Sequence, residues 1–301
     1  MVFDPEKPVP PNELDARMFD QLGDRLDKLV TRSRMIGVTS SFYLQSGRLS
    51  HQHDADNPVF AASLAKVPLS VLLARRLQDP TEELTVYPDV IDATGGGEYD
   101  KPRADAFVVT AHDLLADMLE NSGNTAYRIF SRMHGVDTIN DFYSEMGWPV
   151  SKVVANEKDN EKIDIGPTTA YEATQQLDAL MTDTSWIGQL ARERLSGKNA
   201  ARYGIQSVAY RRGGGVTIAS KTGEYTCAPD EPDRDDRSYR NQVVKSWGDS
   251  DLSMAILTSA DRRTRGYLSA QVVTHFSIEI LSALGVSPTV SLGRRALLAL
   301  T

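Results

Sequence analysis

Phe60-Ala61-Ala62-Ser63-Leu64-Ala65-Lys66-Val67-Pro68 is the stretch on which the reading of this 301-residue chain turns. It holds the chain's only Ser-x-x-Lys, and a long apolar run follows it (Val67, Leu69, Val71, Leu72, Leu73, Leu77). That run reads as a buried helix with Ser63 at or near its start. A spacing of three puts Ser63 and Lys66 on one helix face, a turn apart. A hydroxyl is a poor nucleophile until a base takes its proton, and an amine whose pKa is lowered can be that base. A serine at a helix N-terminus also places its backbone N–H where an oxyanion can form. Alone, Ser-x-x-Lys is read better as an ordinary helix start with a surface lysine, since about one copy is expected by chance in a chain this long.

Two later stretches change that balance. Ser122-Gly123-Asn124 follows a helical segment over 111–121, and Lys221-Thr222-Gly223 ends a strand-like run over 216–220. In this order the three motifs resemble the set Ser-x-x-Lys, Ser-Asp-Asn and Lys-Thr-Gly of serine β-lactamases and penicillin-binding proteins. The spacings resemble the class A β-lactamases in particular. So do the contexts Ala-Ser-Leu-Ala-Lys-Val-Pro and Asn-Ser-Gly-Asn-Thr-Ala, and the pair Thr168-Thr169 opening a helix. The resemblance spans about 14–284.

The resemblance implies roles for particular residues. Ser63 would be the acylated nucleophile and Lys66 its base or proton relay. Ser122 would pass a proton to the leaving nitrogen, and Asn124 would hold Lys66 and the cleft in place. Lys221 would supply positive field, hold the pKa of Lys66 down and attract a substrate carboxylate, which Thr222 would bind. The backbone N–H groups of Ser63 and Glu224 would form the oxyanion hole. Tyr99 falls about where the family places an aromatic gate.

Three departures accompany the match. Gly123 stands where class A enzymes have Asp, a side chain that mainly supports the loop. Glu224 follows Lys-Thr-Gly where small or hydroxylated residues are usual, and brings negative charge to the place of a β-lactam carboxylate. The stretch over 153–164, Val-Val-Ala-Asn-Glu-Lys-Asp-Asn-Glu-Lys-Ile-Asp, lacks the family's Glu-x-x-Leu-Asn, whose glutamate activates the deacylating water. Glu157 is the stand-in by position; a solvated loop charge is the alternative.

Along the chain, residues 1–11 read as a Pro-rich arm. Asn12 is positioned to cap a helix with apolar positions Leu14, Met18, Leu22, Leu26 and Leu29. Strands over 36–44 and 49–53 read as a hairpin. Helices and loops fill 63–204, with helices near 124–134, 137–146 and 168–181 and a charged loop over 156–164. Residues 228–240 read as a solvated loop, 241–247 and 252–259 as strands, and 265–284 as a closing helix. Strands from both chain ends with helices between them give an α+β layout, an antiparallel sheet flanked by helices plus an inserted helical lobe. The divisions are an arm (1–11), a sheet lobe (12–60 and 210–285), a helical lobe (61–209) and a tail (286–301).

The net charge of −8 argues against nucleic acid or an anionic membrane as partner. No apolar run is long enough to span a bilayer. The first residues lack the basic and apolar regions of a signal peptide. The expectation is a cytoplasmic protein, or an exported one whose signal lies outside this sequence. The single cysteine, Cys227, excludes an internal disulfide. His51-Gln52-His53-Asp54 has the look of a zinc-hydrolase run but continues Ala55-Asp56 with no partner cluster, so it reads as a polar strand end.

The expected function is a serine hydrolase cleaving a β-lactam or related amide through an acyl-enzyme on Ser63, with a small-molecule substrate, no cofactor, no metal and a monomeric state. Alternatives are a penicillin-binding, DD-peptidase-like or esterase activity with slow β-lactam deacylation, a ligand-binding sensor that turns nothing over, and a metallohydrolase built on the His51 run.

Overall fold

A computed structural model describes residues 14–156, 159–196, 203–205, 209–210, 216–226, 237–248, 250–286 and 288–289. Helix α1 (Ala16–Met35) is capped by Asp15, whose carboxylate accepts from the N–H groups of Arg17 and Met18. Asn12, the cap expected from the sequence, lies outside the described residues. Phe19, Leu22, Leu26 and Val30 form the buried stripe of α1, whereas Met18 is exposed. Strands β1 (Val38–Ser46) and β2 (Leu49–His53) pair as the expected hairpin, closing at Ser46 and Leu49 around Gly47, whose φ of 55° suits the tight turn.

After β3 (Val59–Phe60) comes a 3₁₀ turn, Ala62–Ala65, that runs directly into α2 (Lys66–Arg76). Every residue of α2 from Lys66 to Ala74 is buried, so this helix is the axis of the helical half. Around it lie β4 (Glu83–Val86), β5 (Phe107–Thr110), α3 (Ala111–Glu120), α4 (Asn124–His134) and α5 (Val136–Glu145). Thr110 caps α3 through the N–H of Asp113.

The stretch expected to be a charged loop over 156–164 contains two strands, β6 (Val153–Asn156) and β7 (Asp159–Ile165). Val153 faces Ile165 and Ala155 faces Ile163 across the pair, and both isoleucines pack on the core. Two apolar residues at strand spacing thus outweigh the charges around them. Next come β8 (Pro167–Thr168), α6 (Ala170–Thr182, capped by Thr169) and α7 (Trp186–Leu195).

Strands β9 (Ala209–Tyr210), β10 (Thr217–Thr226), β11 (Arg237–Trp247) and β12 (Leu252–Asp261) follow, then α8 (Arg262–Ala283) and β13 (Pro288–Thr289). Residues 237–240, expected in a loop, open β11, because Tyr239 packs against Phe60 and Tyr225. The main sheet is antiparallel in the order β10-β11-β12-β1-β2. The β1–β12 pairing joins the two ends of the chain. One face is covered by α1 and α8 through Leu22, Leu26, Phe42, Ile256 and Phe276, and the other by the helical half. The fold is α+β. Its edge strand β10 carries Lys221-Thr222-Gly223 and runs beside the 3₁₀ turn that holds Ser63.

Candidate active site

Ser63 sits on the 3₁₀ turn, one step after Ala62, a non-glycine residue held at φ 49°. A left-handed alanine costs on the order of 1–3 kcal/mol and persists only where its surroundings impose it. Here Asn241, fully buried on β11, is part of that imposition. Its Nδ2 donates to the carbonyl of Phe60 at 2.8 Å and of Ala61 at 3.3 Å, while its Oδ1 accepts from the N–H of Thr258.

Lys66 is fully buried, and its Nζ lies 3.0 Å from Ser63 Oγ, 3.2 Å from Ser122 Oγ, 2.6 Å from the Ser122 carbonyl and 2.7 Å from Asn124 Oδ1. An ammonium has three protons, so it cannot donate to all four. A neutral amine can donate to the two acceptors that have no proton, the carbonyl and the Asn124 oxygen, and accept with its single lone pair from one of the two hydroxyls. Burial lowers the pKa of Lys66 to about 8, against the opposing pull of Asp100, Asp92 and Asp117. Lys221, also buried, is held well below the ordinary lysine range, by burial first and by the charge of Lys66 second. Of the two causes open from the sequence, burial and a nearby cation such as Lys221, burial is the one that lowers Lys66.

Ser122 also has a left-handed backbone, φ 63°, in the loop entering α4. Asp100 binds that entry: its carboxylate accepts from the N–H groups of Thr125 at 2.7 Å, Asn124 at 3.1 Å and Gly97 at 2.8 Å. Asp117, from α3, accepts through Oδ1 from the N–H of Glu98 and the amide of Asn121. Its Oδ2 lies where a Cβ on Gly123 or on Gly97 would be. The carboxylate missing from the middle of the second motif is thus replaced in space by one from the preceding helix.

Gly223 brings β10 against the nucleophile. A Cβ there would stand 2.8 Å from the carbonyl of Ala61 and 3.2 Å from the nitrogen of Ser63. Only a glycine permits that approach. It brings the backbone of β10 at Gly223 beside that of Ser63. The phenol of Tyr203 pins the strand from outside, within 2.6 Å of the Gly223 carbonyl and 3.2 Å of that of Asn241. The side chain of Glu224 forms an ion pair with Arg240 at 2.8 Å.

Of the residues named from the sequence, Ser63, Lys66, Ser122 and Asn124 meet within hydrogen-bond distance, with Lys221, Thr222 and Glu224 on the adjacent strand. Tyr99 lies on the loop whose Thr94 accepts from Asn124, and its ring stacks on Phe107. Glu157 lies outside the described residues, as does Cys227. His51 and His53 both bond to Asp27 of α1, and among the described residues no cluster of His, Cys, Asp or Glu has the makings of a metal site. Asp100, Asp117, Tyr203, Arg240 and Asn241 carry no motif and were not legible from the sequence as site residues; only the long-range contacts reveal them.

A family model described as the Beta-lactamase enzyme family matches residues 21–277. No curated protein matches the chain. Among solved structures, a beta-lactamase from Sphaerobacter thermophilus DSM 20745 is similar, with 19% identity, a TM-score of 0.69 and coverage of 86% of this chain and 97% of that one. A class A beta-lactamase from Mycobacterium abscessus has 18% identity, a TM-score of 0.67 and coverage of 86% and 98%. A mutant of PBP-A, solved as an acyl-enzyme complex with penicillin G, has 19% identity, a TM-score of 0.66 and coverage of 92% and 99%. At these identities the structural likeness speaks for the fold.

Proposed function

The chain belongs to the beta-lactamase enzyme family, and on that premise we propose that it is a serine hydrolase opening β-lactam or related amide bonds through an acyl-enzyme on Ser63. The observation that carries this reading is the buried Lys66 amine, 3.0 Å from Ser63 Oγ and 3.2 Å from Ser122 Oγ. In its neutral form it takes the proton of Ser63 as Oγ attacks the amide carbonyl. The carbonyl oxygen becomes an oxyanion facing the backbone N–H groups of Ser63 and Glu224. Ser122 hands its proton to the departing nitrogen and is reprotonated from Lys66. Asn124 fixes the Lys66 amine through its Oδ1, and Lys221 adds positive field along β10. Thr222 is the contact for a polar group of the substrate.

A second reading concerns the step after acylation. Water attacking the ester needs a positioned base, and losing one costs about 10²–10⁴ in rate. Among the described residues the side chain of Ser63 bonds to the Lys66 amine, and Lys66 to hydroxyl, carbonyl and amide oxygens, none of them a carboxylate. The region where the family keeps its glutamate carries β6 and β7 instead. This favours slow deacylation, the behaviour of a penicillin-binding protein rather than a fast β-lactamase. The similar PBP-A mutant was itself solved with penicillin G attached.

The test is intact mass spectrometry after incubation with benzylpenicillin. The wild-type protein is expected to gain the mass of one penicillin and to hold it for minutes or longer, and the Ser63→Ala protein to gain none. An adduct on Ser63→Ala overturns the assignment of the nucleophile. Multiple turnover of a chromogenic cephalosporin with no accumulating adduct overturns the slow second step.

A further inference from the structure

We propose that the Glu224–Arg240 ion pair sets substrate choice at this cleft: an internal carboxylate occupies the guanidinium, so the site favours acyl compounds without a carboxylate beside the scissile amide. The inference rests on the acyl-enzyme reading above and adds the substrate class. Glu224 and Arg240 are directly opposed across β10 and β11, so their side chains leave the same face of the sheet. Thr222 and Thr226 share that face of β10 with Glu224, by the two-residue period of a strand.

The guanidinium is committed. Its Nη1 donates to the carbonyls of Tyr225 at 3.0 Å and Tyr239 at 2.7 Å. Its Nη2 donates to Thr226 Oγ1 at 3.2 Å and pairs with Glu224 Oε1 at 2.8 Å. Four partners take the four Nη protons. Arg240 is 11% exposed and Glu224 54%, so the cation is held by the strand pair while the anion stands at the surface. An incoming carboxylate gains a two-pronged grip on Arg240 only by displacing Glu224, and until then it meets Glu224 as a like charge. A neutral or cationic group at that place meets no such opposition. Among the described residues, the charged groups bearing on this corner are Lys221 and Lys66 from the cleft side and Glu224 with Arg240 on the strand pair. The two lysines are buried, and the exposed charge is the carboxylate of Glu224.

The test compares a chromogenic cephalosporin that carries its free carboxylate with the methyl ester of the same compound. The second-order rate of adduct formation on Ser63 is read for wild type, Glu224→Ser, Arg240→Gln and the double variant. Arg240→Gln keeps most of the side-chain stem, and Glu224→Ser alters an exposed position. In wild type the ester is expected to react at least as fast as the acid. In Glu224→Ser the acid-to-ester ratio is expected to rise about tenfold, the size of one like-charge contact removed near a surface, and to fall as salt is raised. In the double variant the rise is expected to be smaller than in Glu224→Ser, because no guanidinium is left to grip the carboxylate and only the like charge is gone. A wild-type protein that prefers the acid, or a rise in ratio undiminished by Arg240→Gln, overturns the proposal while leaving the acyl-enzyme reading intact. No adduct with either compound on any variant overturns both.

Discussion

Lys66 has two protons and a lone pair when neutral, so two of its four oxygen neighbours can accept from it while one hydroxyl donates to it. With a pKa of about 8, roughly a tenth of the molecules hold the neutral amine at pH 7 and roughly nine-tenths at pH 9. The acylation rate with penicillin is therefore expected to rise about tenfold over that interval and level off above it, with chemistry kept limiting. Lys66→Ala is expected to slow acylation by about 10²–10⁴; a flat pH profile in the wild type speaks against Lys66 as base. Asp100 is the largest charge opposing the effect of burial, ahead of Asp92 and Asp117. Its negative charge raises the pKa of Lys66, so Asp100→Asn is expected to move the midpoint of the acylation profile below about 8. Loss of packing alone lowers the plateau without moving the midpoint, so the profile separates the two effects.

At the level of elements, two glycines decide how the parts approach. Gly223 lets β10 touch the Ser63 turn, and a methyl there meets backbone on the other side rather than a side chain that can swing away. Gly223→Ala is expected to slow acylation at least about 10²-fold, the size of a lost oxyanion donor; an unchanged rate places the oxyanion contacts elsewhere. Gly123→Asp puts a carboxyl where Asp117 already is, so it is expected to unfold at a lower temperature than wild type. Adding Asp117→Ala to Gly123→Asp makes room and is expected to recover much of the loss, measured as the melting temperature of single and double variants. The same scale shows what could be read without coordinates. Thr110, the apolar stripe Leu22-Leu26 and the turn at Gly47 are local signals, and the elements they mark are where their residues place them. Ser63, Lys66, Ser122 and Lys221 were legible because each belongs to a short motif. Strands β6 and β7 were hidden because only Val153, Ile163 and Ile165 among many charges face the core. Asp117, Asn241 and Arg240 were hidden because what they do depends on partners brought near by the sheet order and the packing of α3.

For the molecule as a whole, the site is a cost that the rest of the fold carries. The sheet is covered on both faces by apolar clusters, and the chain keeps two lysines, Lys66 and Lys221, out of water. The folded pKa of Lys66 is about 8 and its ordinary value 10.5, a gap equivalent to roughly 3 kcal/mol. Below pH 8 the lysine is charged in both the folded and unfolded states, and the folded state bears the whole penalty. Between about 8 and 10.5 the folded protein releases the proton first, so the penalty shrinks as pH rises; above 10.5 the amine is neutral in both states and no penalty is left. Lys221 is shifted in the same direction. Tyrosines with raised folded pKa values, Tyr43 and Tyr99 among them, work the other way above pH 10, because folding then holds back an ionisation that the unfolded chain permits. Their contribution is shared by wild type and a Lys66→Met variant, so the difference between the two proteins reports Lys66 together with its effect on Lys221. Urea unfolding at pH 7, 8, 9 and 10 is expected to show wild type gaining stability on Lys66→Met with each step, with most of the gain above pH 8. Removing the charge of Lys66 also relieves Lys221, which makes the variant's own curve flatter still. Parallel curves mean that Lys66 keeps an ordinary lysine pKa in the folded protein, and a site built on its neutral amine then has no base.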